Sequence, residues 1–136
     1  MNDSDELDHV SPKPIATVEQ FKKALLAVRD RDGISQQELA MLRAHCRALD
    51  HTITATQLAQ TLKLTSYGVA NFLFGKFAHA IADRLNFVPI KRDDGTTCWW
   101  FTLSYGRSGS EQMEGGHFQW IMRPELVQAL QEMKWA

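Results

Sequence analysis

The chain has 136 residues, 44% hydrophobic and 23% charged, with a formal net charge of −1. This suits one globular domain with a sizeable core. No apolar run approaches the length of a membrane span, and the opening MNDSDELDHVSPKP is too acidic and polar for a secretory signal, so a cytoplasmic protein is expected. Two cysteines, Cys46 and Cys98, are too few for a disulfide-stapled secreted domain and read as reduced thiols.

Charge is unevenly spread. Residues 1–16 hold Asp3, Asp5, Glu6 and Asp8 against Lys13, a balance of −3, which leaves +2 for residues 17–136. That mild excess permits nucleic-acid binding without demanding it. The first 16 residues lack periodicity and contain Pro12 and Pro14, so they read as a disordered acidic tail ahead of one domain over 17–136.

In chain order, a first helix is predicted from Thr17, with Gln20 at the capping-box position and Phe21, Leu25 and Val28 as its apolar stripe. Asp32-Gly33 breaks it. Ser35 and Glu38 form a second capping box, opening a helix to about Ala48 with Leu39, Leu42 and Cys46 inward. Ile53 fits a one-rung strand. Thr54 to Gln57 opens a short third helix with Leu58, Ala59 and Leu62 inward, and Lys63 to Thr65 forms a turn. Ser66 caps a fourth helix running towards Leu85, with Asn86 as its stop. The pattern then turns from helical to alternating. Phe87 to Lys91 reads as a strand, Asp94-Gly95 as a turn, and Cys98 to Tyr105 as a second strand with Trp99 and Trp100 on opposite faces. A polar loop over 106–116 leads to a strand over 117–122. Pro124 opens a last helix with Leu126, Leu130 and Met133 inward. The expected class is therefore α+β: a helical N-terminal half containing a helix-turn-helix, a small antiparallel sheet serving as a wing, and a C-terminal helix.

The third and fourth helices carry the functional expectation. Two helices joined by a tight turn read DNA when spacing and surface chemistry agree. Ala59 supplies a small crossing residue and Val69 an apolar anchor; Lys63 stands where a glycine often sits. Val69, Leu73 and Ala80 mark an inner face by helical spacing, leaving Tyr67, Asn71, Phe74 and Ala78 outward. Asn71 can bond an adenine edge bidentately, Gly68 allows close backbone approach, and Gly75 can bend the helix. Thr65, Ser66, Lys76 and His79 are placed to reach the backbone, as are Lys91, Arg92 and Arg107 around the wing's turns. The alternative is that the stripe packs against another helix or the sheet. Trp99, Trp100, Trp120 and Trp135 are many for this length; most belong in a core, but Trp100, Tyr105 and Trp120 can line a pocket for a methylated or flipped base.

The stretches MLRAHCRALDHTITATQLAQTL (41–62), YGVANFLFGKFAHAIADRL (67–85) and FQWIMRPELVQAL (118–130) resemble a bacterial DNA-reading domain attached to HNH-type restriction endonucleases. The resemblance covers roughly residues 39–135. It implies a winged-helix module that senses duplex DNA in bacterial defence or phage conflict, some such modules recognising adenine methylated on its exocyclic amine. The 136 residues carry no HNH segment.

No catalytic signature is present. His45 and Cys46 diverge by about 100° on one helix, and no CxxC or HExxH occurs. Gly106 to Gly109 lacks the strand-to-helix context of a nucleophile elbow, and Gly75-Lys76 lacks that of a phosphate loop. The expectation is a non-enzyme with no metal or cofactor, partnered by double-stranded DNA and by a nuclease or host defence protein. A competing expectation is a protein-interaction module, such as a phage inhibitor of a host defence complex, supported by the near-neutral charge and acidic tail. No coiled-coil seam indicates an oligomer.

Overall fold

The structure, a computed structural model, describes residues 13–107 and 115–136. Among these lie five α-helices and a three-stranded antiparallel sheet, an α+β arrangement. Residues 1–12 of the expected tail fall outside the described residues. The tail is shorter than expected at its inner end: Ala16 is buried and Ile15 packs on the core.

Local chemistry sets most helix starts. Helix α1 (Val18–Arg31) opens on Thr17, whose Oγ1 accepts from Gln20 N while Gln20 Oε1 accepts from Thr17 N. Helix α2 (Gln36–Arg47) opens on the same reciprocal pair between Ser35 and Glu38. Helix α3 (Ala55–Leu62) does so between Thr54 and Gln57. Each pair satisfies two backbone donors that the first helical turn leaves orphaned. Helix α4 (Tyr67–Leu85) is capped by Ser66, whose Oγ accepts from Val69 N at 3.3 Å.

Lys63 closes α3 in the left-handed conformation, φ 57°, with Leu64 N–H donating to Ala59 O at 2.8 Å. The turn thus makes the αL bend that glycine makes most cheaply, at a modest cost in strain. Asn86 ends α4 the same way, φ 53°. Helix α4 runs unbroken through Gly75, from Tyr67 to Leu85.

Strands β1 (Thr52–Thr54), β2 (Ser104–Gly106) and β3 (Gln119–Met122) lie in the order β1-β3-β2, with Ile53 opposite Trp120 and Tyr105 opposite Ile121. Helix α5 (Pro124–Glu132) follows directly, with Pro124 in its first turn, where the missing N–H has no cost. Leu126 and Leu130 are buried as expected; Met133 is half-buried. Helix α1 packs against α4 and α5, closing the core over Phe21, Leu25, Phe77 and Ile81.

The β region differs from the expected strands in two places. Phe87 to Lys91 forms no strand; one bridge joins Lys91 to Thr97 around the Asp94-Gly95 turn. Trp99–Thr102 is a 3₁₀ turn, and only Ser104–Gly106 is extended. The reason lies in what the large side chains meet. Trp99 stacks on His79 of α4, Trp100 tilts against Phe118, and Phe101 lies under the Arg123 guanidinium, 4.5 Å from its ring centroid. A two-sided strand cannot send three consecutive side chains to three surfaces, whereas a tight turn can. Arg123, itself buried, locks the turn by donating from Nε and Nη2 to Phe101 O at 2.9 and 2.8 Å. Burial lowers its pKa to about 10, which leaves it charged at neutral pH.

Candidate nucleic-acid interface

Helix α4 is the centre of the candidate site, and its phase differs from the expected one. Ala70, Phe74, Phe77, Ala78 and Ile81 form its buried stripe. Phe74 therefore cannot meet a ligand: it is 1% exposed and stacks on Trp120 with centroids 4.1 Å apart. Ala78 is buried with it. Val69, expected to anchor the inner face, is 41% exposed. Hydrophobic residues occur almost all round the first two turns, so spacing alone selects no inner face; the sheet selects it by covering one side.

In the first turns of α4, Tyr67 falls within the angular range of that stripe and Asn71 on its flank, and both are exposed. With about 100° per residue, Gly68, Asn71, Phe72 and Gly75 share a sector there. A Cβ at Gly75 would meet nothing within 4 Å, and one at Gly68 only Ser66 Oγ at 3.5 Å, so packing requires neither glycine. Phe72 is 70% exposed. Thr65, Ser66 and Lys76 are exposed beside this sector, and Lys76 makes no ion pair among the described residues.

The end of the β2–β3 connection is tied to this region. Residues 108–114 of that loop lie outside the described residues, but its return leg is described. Thr56 N–H donates to Gly116 O at 3.0 Å, and Thr56 Oγ1 to Gly115 O at 2.9 Å. A Cβ at Gly116 would lie 2.5 Å from Tyr67 Cγ, and its φ is +79°, so only glycine lets the leg pass beneath the tyrosine ring.

Between α4 and the sheet opens a cleft of about 530 Å³, lined by Asn71, Arg92, Cys98, Trp100, Phe118 and Trp120. Trp100 and Trp120 meet there as expected, but Tyr105 is not among its lining residues; it stands on edge strand β2 opposite Ile121. Phe118, given no role by the sequence, is part of the wall, its ring tilted 55° to Trp100 at 5.0 Å. A signal for it existed: Gly106 sits on the neighbouring strand, and a Cβ there would lie 2.6 Å from Phe118 Cζ. Arg92 Nη1 donates to Thr96 Oγ1 and Thr97 O at 3.2 and 3.0 Å, which holds the guanidinium at the rim, and Thr96 Oγ1 in turn donates to Asp94 Oδ1 at 2.6 Å. Asp94 lies close enough to feel that charge. Burial pushes the Cys98 thiol up, so it is a neutral thiol and not an activated nucleophile.

The remaining expected residues are dispersed. His79 is engaged by the Trp99 stack, 3.6 Å between centroids, and its Nε2 lies 3.5 Å from Asp83 Oδ1. Lys91 is exposed at the bridge to Thr97. Arg107 reaches across the sheet, its Nη2 3.4 Å from Thr52 Oγ1 on β1. From Ala55 to Arg107 there are six basic residues (Lys63, Lys76, Arg84, Lys91, Arg92, Arg107) and three acidic (Asp83, Asp93, Asp94), a balance of +3.

Beneath the cleft lies His45, fully buried, with Nε2 3.0 Å from Trp120 O. A carbonyl only accepts, so Nε2 carries the proton. Nδ1 has no partner among the described residues, and desolvation lowers the His45 pKa to about 4, leaving a neutral ring. Among the described residues no group of three His, Cys, Asp or Glu side chains could hold a metal ion, and no helix is long and apolar enough to cross a membrane. Compared with protein-family models, curated proteins and solved structures, the chain matches none.

Proposed function

We propose that this chain is a winged-helix module that binds duplex DNA, with the first turns of α4 entering the major groove and Arg107, at the start of the β2–β3 connection, reaching the backbone. The observation that carries this reading is the exposed sector in the first turns of α4. It is a capped helix start offering an unpartnered amide, two glycines that packing does not need, and Lys76. Glycine inside a helix costs up to about 1 kcal/mol, and open space around it suits close approach of another backbone. The order β1-β3-β2, with β1 before the helix pair and β2 and β3 after it, is the order expected of a winged helix. The balance is +3 from Ala55 to Arg107 and +1 when counted through Gly116, with Glu111 and Glu114, so the electrostatic attraction is mild. The chemistry proposed is recognition without catalysis, and adenine carrying an exocyclic methyl is one mark it could read.

The test is a mobility shift with the full chain at two salt concentrations, on unmethylated and adenine-methylated duplexes. Binding should weaken as salt rises, and Lys76→Ala should flatten the salt slope by about one. Asn71→Ala should cost about 1–3 kcal/mol on the preferred duplex and less on others. No shift on any duplex at low salt eliminates the reading.

A second reading is favoured by one observation. Val69 and Phe72 are apolar, exposed and neighbours at helical spacing on α4. Exposed apolar patches mark protein partners as often as ligand grooves. A module that docks on a nuclease or a host defence protein would show no DNA affinity and a stable complex in nuclease-treated lysate.

A further inference from the structure

We infer that the cleft between α4 and the sheet is a site for a single nucleotide: one planar nitrogen base lies against the Trp100–Phe118 wall with its phosphate at Arg92. The two sources of that chemistry are a base everted from a duplex and a free nucleotide. Only the first rests on the DNA reading above.

Volume comes first. About 530 Å³ lies within the range of roughly 300–1,000 Å³ seen for small-molecule sites. The lining then narrows the ligand. Trp100, Phe118 and Trp120 provide aromatic surface, which suits a flat ring. Aromatic walls also attract ammonium groups, but here the rim carries the Arg92 guanidinium and no carboxylate is among the lining residues. The charge therefore favours an anionic ligand.

Hydrogen bonding narrows it further. The Asn71 amide, exposed and without a partner among the described residues, can donate and accept together, as the edge of a base requires. Arg92 is held by Thr96 and Thr97 before any ligand arrives, which reduces the ordering cost of gripping a phosphate.

The experiment has two arms, both on the full chain. In the first, AMP, adenosine and ribose 5-phosphate are titrated by calorimetry. AMP should bind saturably, ribose 5-phosphate at least tenfold more weakly because it has no ring to stack, and adenosine more weakly because it has nothing for Arg92. Asn71→Ala and Arg92→Ala, both at exposed positions, should each weaken AMP about tenfold with unchanged unfolding temperature; Trp100→Ala is a third variant. In the second arm, a duplex carries 2-aminopurine opposite cytosine. A rise in its fluorescence on binding identifies an everted base as the source. AMP binding with a duplex shift but no rise assigns the site to free nucleotides. AMP binding with no duplex shift keeps the site and removes the DNA reading. Neither AMP binding nor a fluorescence rise overturns the site, even where duplex DNA still shifts.

Discussion

Phe72 is 70% exposed and Phe74, two residues later on the same helix, is 1% exposed. The two faces of α4 use similar residues. One has Val69 and Phe72; the other has Ala70, Phe74, Phe77 and Ile81. The second face is covered by α1, the 3₁₀ turn at Trp99–Thr102 and Trp120 of the sheet. Val69 and Phe72 stay 41% and 70% exposed, so much of their apolar surface gains nothing from this chain's own folding, and burying one such side chain is worth roughly 1.5–3 kcal/mol. The comparison separates two roles within one element: the buried face holds the helix in place, and the exposed face presents chemistry to something else.

The strongest way to break this division is Phe74→Ala. The stack on Trp120 would be lost and a cavity opened beneath the cleft, so urea denaturation should show a loss of about 3–5 kcal/mol. A loss under 1 kcal/mol would mean that the buried face is not the anchor.

A smaller effect should come from pH through His45, whose ring lies 5.6 Å from Phe74. Its pKa is lowered from 6.5 to about 4 in the folded protein, first by desolvation. The unfolded chain therefore binds the proton more tightly, and acid favours unfolding. The stability is fully present above about pH 6.5 and is lost as the pH falls towards 4. Between pH 7.5 and 5 this amounts to roughly 2 kcal/mol. A His45→Gln variant should show a flatter dependence over the same window. An equal slope in that variant would assign the acid sensitivity to other groups.

The smallest effect is expected from Phe72→Ser on the exposed face. Thermal unfolding should move by less than about 0.5 kcal/mol, as for a surface substitution, while affinity for the partner falls. Destabilisation comparable to that of Phe74→Ala would show that the exposed face is covered in solution, for instance by a second copy of the chain.

Much of the helical half was legible from short-range chemistry. Thr17 with Gln20, Ser35 with Glu38, Thr54 with Gln57, and Ser66 each start a helix because a side-chain oxygen satisfies an amide three residues on. Asn86 ends one because its short polar side chain tolerates φ 53°. Pro124 begins the last helix for an equally local reason. The cleft was only partly legible: Trp100 and Trp120 were identifiable as aromatics without an obvious core position, but Phe118, Asn71 and Arg92 come from three separate segments and meet only after folding.

What the sequence determined alone is where the helices start and stop, and that the chain is α+β; these depend on interactions spanning a few residues. The phase of α4, the tight turn in place of a strand at Trp99–Thr102, and the side of Trp120 that faces the cleft were decided by the tertiary structure. Each depends on which of several equally apolar side chains finds a surface to pack against. In the 3₁₀ turn that surface is provided by His79 and Arg123, roughly 20 residues away on either side. Local periodicity cannot register a partner at that separation, because it counts apolar residues without knowing what will cover them.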